Sequence, residues 1–326
     1  MAFTGAAPAG LKSFVHSLHQ AIGKGPRWLA LAYLLALSAI SRNLLSRRNQ
    51  QRIYNSIFGL PWAAFDFAPL RVVLGRDVEA RLVPHLGEFD EQALFSRQLD
   101  YEPATFAWLE RAAASYDLII EIGANVGVFT VFLDALRRRR PPAAPLEPAP
   151  RPQVIVSFEP SPEACRRLRR NLELNRTEVI VRQAAVGREA GRQTFYEPVG
   201  HLTNGSFVRE FAAQFSEALI ETAVDVVAAG ELETWLASAQ RALIKIDVEG
   251  FEPELLAALA PLLERYRPDL LIEVMPLTAG PLEALAVLAA YERFLVTESG
   301  LLPETALRFV PGAFDWFLTW RTNAAA

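Results

Sequence analysis

The chain has 326 residues, 51% of them apolar and 21% charged, enough to bury one large core or two modest ones. Its net charge of −4 gives no global electrostatic case for a nucleic-acid partner, and none is expected. A single cysteine, Cys165, excludes an intrachain disulfide framework and a multi-cysteine zinc site, and fits a reducing compartment.

Residues 1–25 are rich in small residues with weak periodicity and are expected to be loosely ordered. A helical pattern runs from Trp28 to about Phe58, in one piece or two, and Gly59-Leu60-Pro61 ends it. Its apolar core, Trp28–Ile40, is broken only by Ser38. At about 13 residues it is short of the roughly 20 that a membrane span needs, and it starts too late for a signal peptide. It reads as a packed accessory helix. Because Lys24, Arg27, Arg42, Arg47, Arg48 and Arg52 flank it, the alternative is peripheral membrane contact through residues 28–45 of a cytoplasmic protein.

Trp62–Val83 looks like short strands and turns, and Glu91–Leu99 and Thr105–Ala114 read as helices. Residues 1–115 are therefore mostly helical, with 1–85 an accessory region and 86–326 the main domain. From Tyr116 onward apolar strands and amphipathic helices alternate, which predicts βαβ units and an α/β fold on a mainly parallel sheet. The strand candidates are Leu118–Ile122, Val154–Phe158, Val179–Gln183, Ala242–Asp247, Leu270–Val274 and Phe294–Thr297, with a final pair around Arg308–Val310 and Phe314–Trp320. Glu163–Leu174, Leu232–Ala239, Glu252–Glu264 and Pro281–Tyr291 are helical in pattern. Arg137–Pro152 holds four consecutive arginines and six prolines and reads as an exposed insertion. Arg137–Arg140 is taken as a solvated helix end rather than a site for acidic lipid or nucleic acid.

The chemistry centres on Leu118–Gly127, a buried strand, a glycine turn and a helix that starts at once. Gly123 and Gly127 allow close approach of a ligand, and the loop amides around Asn125 are expected to face it. Glu121 places a negative charge where a pyrophosphate loop would avoid one. The second strand ends in Glu159, a carboxylate suited to two vicinal ribose hydroxyls. Ser161 suits the next N-cap and Pro162 the first helical position, which leaves Glu159 free. It lies about 30 residues past the loop rather than the usual ~20, an excess that the insertion explains.

A nicotinamide cofactor would want G-x-G-x-x-G; Gly123-Ala124-Asn125-Val126-Gly127 has the wrong spacing. S-adenosylmethionine carries no phosphate, and Glu121 suits its ammonium, directly or through water. Gln183, ending the third strand, is a candidate for the adenine edge. Asp247 and Glu249 follow a buried strand at its carboxyl end and are candidate catalytic groups, a salt bridge to Lys245 being the structural alternative. His201, in a turn-rich loop, is a second candidate base, with Thr203, Asn204 and Ser206 beside it for substrate hydroxyls. Glu273 is a further rim candidate. No metal is expected, since no histidine or further carboxylate with ligand spacing is visible nearby.

These residues resemble the FkbM-type S-adenosylmethionine-dependent methyltransferases. The resemblance rests on Glu121-Ile-Gly-Ala-Asn-Val-Gly127, Phe158-Glu-Pro160, Gln183-Ala-Ala-Val-Gly187 and Ile244-Lys-Ile-Asp-Val-Glu-Gly-Phe-Glu252, with Pro268-Asp-Leu-Leu-Ile-Glu273 behind. It covers about residues 90–320, and departs from the family where a common Asp is replaced by Glu121. It implies a class I methyltransferase fold, with helices on both faces of the sheet and an antiparallel C-terminal strand. It also implies O-methylation of a hydroxyl on a sugar, glycolipid, polyketide or similar small acceptor. Two other readings are a non-catalytic S-adenosylmethionine-binding scaffold at a membrane surface and a nucleotide-dependent oxidoreductase, which the loop chemistry opposes.

Overall fold

The computed structural model describes residues 27–57, 67–139 and 152–321. The expectations for 1–25, for the Gly59-Leu60-Pro61 stop and for most of the proline-rich insertion fall outside them. Two compact units result, Met1–Tyr101 and Glu102–Ala326.

In the first unit the long helical pattern is two helices, α1 (Arg27–Leu44) and α2 (Arg47–Ile57). Strands β1 (Leu70–Leu74) and β2 (Val78–Leu82) form an antiparallel hairpin. The helix expected at Glu91–Leu99 is only a 3-10 turn, Phe89–Glu91, and one helical turn, Gln92–Phe95. It stops there because Ser96 turns extended, and Val73 of β1 bonds Arg97 and Leu99 as a neighbouring strand would. Leu34, Phe67, Leu94 and Phe95 form a small core. The 85/86 division expected from sequence thus falls inside this unit, which reaches Tyr101.

The second unit opens with α3 (Pro103–Ala112), whose first position is taken by a proline that needs no partner for a missing N–H. Then come β3 (Leu118–Ile122), α4 (Val128–Arg138), β4 (Val154–Phe158), α5 (Pro162–Asn175) and β5 (Ile180–Arg182). A second, three-stranded sheet follows, formed by β6 (Ala185–Gly187), β7 (Gly191–Pro198) and β8 (Leu219–Ala228) in the order β6-β8-β7. Its strands are largely exposed on one face and carry charged residues, so no apolar run marked them. The chain returns to the main sheet as β9 (Ala242–Ile246), α6 (Glu252–Tyr266), β10 (Asp269–Glu273), β11 (Tyr291–Thr297), β12 (Gly300–Glu304) and β13 (Asp315–Trp320).

The eight-stranded sheet has the order β12-β11-β13-β10-β9-β3-β4-β5. Strands β10, β9, β3, β4 and β5 are parallel, and β13 inserts antiparallel between β10 and β11. One face packs Ile120, Ile244, Ile246 and Ile272 against Leu255, Leu259 and Leu263 of α6. Ile119, Leu243 and Leu271 point to the other face and are equally buried, so both faces are covered, as a parallel sheet requires.

Two C-terminal expectations are corrected. Arg308–Val310 is not a strand; the hairpin partner of β11 is β12, an edge strand that tolerates Pro303 because its outer side needs no ladder bond. Pro281–Tyr291 divides into a short helix, Ala279–Glu283, and a 3-10 segment, Ala286–Ala290, and Tyr291 already begins β11.

Candidate active site

Register places the functional groups. Ile122 of β3 pairs with Phe158 of β4 and with Ile246 of β9, and Ile246 pairs with Ile272 of β10. The residues just beyond, Gly123, Glu159, Asp247 and Glu273, therefore line one edge at the carboxyl ends of the parallel strands, where such sheets hold ligands. Asp315, first residue of the antiparallel β13, pairs with Glu273 and joins the same edge.

On the glycine-loop side almost every polar group is engaged within the protein. Gly123 is at φ +90°, and a Cβ there would stand 1.7 Å from the Asp247 carbonyl oxygen. Its glycine is required by the crossing of two backbones. Gly127, at φ +79°, has Leu168 of α5 2.9 Å from where a Cβ would lie. The expectation that the loop amides face a ligand is corrected at four of five positions. Gly123 and Ala124 donate to the Phe158 carbonyl at 3.0 and 2.9 Å, and Gly127 to Ala124 at 2.9 Å. Asn125, left-handed at φ +51°, donates its amide to Glu159 Oε2 at 2.7 Å.

Glu159 is correspondingly not free. Its Oε1 accepts from the Ser161 amide at 2.8 Å, so one carboxylate ties the loop to the start of α5. Ser161 does cap that helix, through Ala164, and Pro162 follows it as expected. Burial pushes the Glu159 carboxyl up to about 7 against those two amide bonds, with Glu197 and Glu121 adding to the rise. Glu121 is fully buried and its Oε2 accepts from Thr130 Oγ at 2.5 Å and Ser157 Oγ at 3.1 Å. Burial raises its carboxyl too, against the Lys245 ammonium on the adjacent strand. Its hydrogen-bonded oxygen thus anchors α4 and β4 to β3. Gln183 is exposed.

The other side is different in kind. Lys245 is buried, its ammonium 4.5 Å from the Phe129 ring centroid and 3.0 Å from Asp247 Oδ2. Burial alone would lower its basicity, but the carboxylates of Asp247, Glu102, Asp315 and Glu121 outweigh it and hold the ammonium above its ordinary value. Glu249, at φ +54°, is raised well above the usual carboxylate range by burial and by Asp247 and Glu252, while a hydrogen bond from Asn204 opposes the rise. Glu273 is raised likewise by burial, Asp247 and Glu249, and its Oε2 is buried without a hydrogen-bond partner. Glu252, the first residue of α6, holds the preceding turn by accepting from the amides of Val248 and Gly250.

Glu102 and Asp315 were not anticipated from sequence. Asp315 is buried, accepts a hydrogen bond from Thr105 and shares one with Glu102, and burial raises its carboxyl. Only the arrival of α3 and β13 at one edge reveals them; Glu102 lies outside any strand or motif. Asp247, Glu102 and Asp315 thus gather about one lysine, and Glu249 and Glu273 gather about Asp247. Among the described residues no group of three or more His, Cys, Asp or Glu has the geometry to hold a metal ion.

The His201 loop reaches both sides. Asn125 Nδ2 donates to the Thr203 carbonyl at 3.2 Å, and Ser206 Oγ donates to the Glu249 carbonyl at 2.6 Å. The loop follows β7 rather than the third strand directly. The His201 ring itself lies 6.3 Å from the Phe215 ring. Cys165 is buried on α5. Arg137 and Arg138 pair with buried Asp134, and Arg138 bonds the carbonyls of Asn175 and Arg176, so these two arginines fasten the end of α4 to the end of α5.

A glycine loop, an acidic residue after the second parallel strand and an inserted antiparallel strand define the class I methyltransferase architecture. The model of the methyltransferase FkbM domain matches residues 121–292, over half of the chain, and the protein belongs to that family. Its cofactor is S-adenosylmethionine.

Among solved structures, an FkbM methyltransferase from Methylobacillus flagellatus is 14% identical at a TM-score of 0.38, over 62% of this chain and 43% of that one. The chain thus spans less than half the length of that protein. A SAM-dependent methyltransferase from Agrobacterium tumefaciens is 12% identical at a TM-score of 0.38, over 79% of this chain and 71% of that one. The O-methyltransferase TomG from Streptomyces achromogenes, described in complex with SAM, is 11% identical at a TM-score of 0.32, over 69% and 91%. No curated protein matches the chain at a significant level.

The residues fit the cofactor. S-adenosylmethionine brings a sulfonium, an ammonium and ribose hydroxyls, which seek negative charge and acceptors. The edge supplies acceptors: the carboxylates above and Asn125 Oδ1, which is buried without a hydrogen-bond partner.

Proposed function

We propose that the protein is an O-methyltransferase that alkylates a hydroxyl of a sugar, glycolipid, polyketide or similar small acceptor, with Asp247 as the general base. The observation that carries this is the Lys245–Asp247 pair at the carboxyl end of β9. S-adenosylmethionine, when bound, supplies the electrophilic methyl group. The Lys245 ammonium donates to Asp247 Oδ2 at 3.0 Å and fixes that carboxyl at the strand end. Glu249 and Glu273, both raised by burial and by Asp247, hold a proton more readily than an exposed carboxyl does and can donate it in a hydrogen bond to a substrate oxygen. Asp247 therefore takes the hydroxyl proton while Glu249 and Glu273 orient the acceptor. On the other side Glu121, Gly123, Asn125, Gly127, Glu159 and Gln183 form the cofactor half, with Glu159 accepting from ribose through lone pairs left beside its two amide bonds.

His201 is assigned to the loop covering the acceptor rather than to proton transfer, because the loop's hydrogen bonds to both sides run through its neighbours. The test is methyl transfer from labelled S-adenosylmethionine to a panel of free glycans, polyketides and lipid-linked sugars, with calorimetry of S-adenosylhomocysteine binding alongside. Transfer to a hydroxyl that is lost in Asp247→Asn, with product binding kept, is the expected result. Binding of S-adenosylhomocysteine without transfer to any class would leave the scaffold reading in its place, and transfer only to nitrogen would overturn the O-specificity.

A further inference from the structure

The first 65 residues contain seven Lys and Arg and no Asp or Glu. Since the whole chain has 33 basic and 37 acidic residues, the remainder holds 26 against 37, a net of −11. Within this cationic stretch α1 packs one side on the core of its unit and leaves apolar residues on the other. It turns serines inward: Ser38 Oγ donates to the Leu94 carbonyl and Ser41 Oγ to that of Phe95, each at 2.5 Å. Ala30 and Leu34 are buried on that face, and Leu31 and Leu37 pack partly buried against the same small core. The opposite face carries Leu29, Leu35, Ile40 and Leu44, which are 41%, 51%, 47% and 77% exposed. Leu29, Ile40 and Leu44 are spaced about three turns and then one turn apart and lie along one side, with Leu35 flanking them on the same solvent-facing half of the helix. Arg48 and Arg52 of α2, directly after, are exposed.

An apolar stripe left in water beside an acid-free basic helix is costly unless something covers it. Its charge selects the partner. The same face of a second copy would bring like positive charge against itself, whereas an anionic lipid surface supplies both headgroup phosphates for the arginines and an acyl boundary for the leucines. Among the described residues no helix is long and apolar enough to cross a membrane, so the helix would lie in the interface plane. We infer that α1 and α2 dock the protein on the surface of anionic membranes, with the Leu29–Leu44 face inserted at the headgroup boundary and Arg48 and Arg52 on the phosphates. This inference does not depend on the reaction.

The test uses the full chain and vesicles of phosphatidylcholine, alone or with phosphatidylglycerol. The wild type should sediment with the mixed vesicles, much less with phosphatidylcholine alone, and progressively less as salt is raised. Leu35→Asp with Ile40→Asp, and separately Arg48→Glu with Arg52→Glu, should each lower partition about tenfold. An unchanged far-UV circular dichroism spectrum and thermal transition show that the variants are folded, and the salt titration needs no variant at all. No binding of the wild type to mixed vesicles, or equal salt-insensitive binding to both kinds, would overturn the inference. So would a concentration-dependent dimer, abolished by Leu35→Asp, that ignores vesicles: the face would then belong to a second copy.

Discussion

The two ends of the substrate-facing edge are built on opposite principles. On the β3–β4 side the loop amides are bonded to the protein's own carbonyls and to Glu159, and Glu121 is occupied by Thr130 and Ser157. On the β9–β10–β13 side Asp247, Glu102 and Asp315 act on one lysine, Glu249 and Glu273 act on Asp247, and Glu273 keeps a buried oxygen with no hydrogen bond. The first arrangement is rigid before any ligand arrives, which suits a cofactor that is the same in every cycle. The second stores unfavourable like-charge contacts that a donor-rich, polar acceptor would relieve, which suits the half to which we assign the chemistry. Satisfied polar atoms fix a shape; unsatisfied ones wait for a partner.

Four changes would break or sharpen this contrast. The largest effect is expected from Gly123→Ala, where a methyl would meet the Asp247 carbonyl and a left-handed backbone would be strained. The loss should be at least about 3 kcal/mol in denaturant unfolding. Unchanged stability would show that the two sides are not joined at that crossing.

Next, Asp247→Asn should lower kcat by about 10²- to 10⁴-fold, with affinity for S-adenosylhomocysteine kept within about threefold. If product affinity falls as far as turnover, Asp247 belongs to the cofactor half and the division proposed here is wrong.

Glu159→Gln should weaken S-adenosylhomocysteine about tenfold by calorimetry, as one charge-assisted hydrogen bond is lost. It should also change the pH dependence of folding. Glu159 goes from 4.5 to about 7 on folding, so its protonated form is favoured in the native state. The associated stability is complete below 4.5 and is lost as pH rises through about 7, with Glu252 contributing in the same direction. In the variant the decline across that window should be shallower, and an identical decline would refute the assignment.

The smallest effect is expected at His201→Ala, a change in kcat of less than about threefold with no shift in the acid limb of the pH–rate profile. Loss of that limb in the variant would move the base from Asp247 to the loop.

The strands β3, β4 and β9 were readable because each is a short apolar run, buried on both faces and ended by Gly, Glu-Pro or Asp. Asp247, Glu249 and Glu273 were readable because they follow such runs, and the carboxyl end of a parallel strand is a place with known chemistry. The β6–β8–β7 sheet was not, since its exposed face carries polar residues and its alternation breaks. Glu102 escaped for a different reason. It precedes a helix like any surface acid, and only the meeting with Asp315, 213 positions on, makes it part of the site.

By itself the sequence determined which strands are buried, where the glycine turn falls and which carboxylates end the central strands, because local periodicity and residue size govern those features. It also settled against a pyrophosphate cofactor, because glycine spacing and one acidic residue are local facts. Only the tertiary structure decided what each polar group is bonded to. It took Glu159 and the loop amides out of the pool of free groups, placed Glu102 and Asp315 beside Lys245, and left Leu29, Leu35, Ile40 and Leu44 of α1 exposed. Those outcomes depend on contacts between residues far apart in the chain, and hydrogen-bond satisfaction and burial are properties of such contacts.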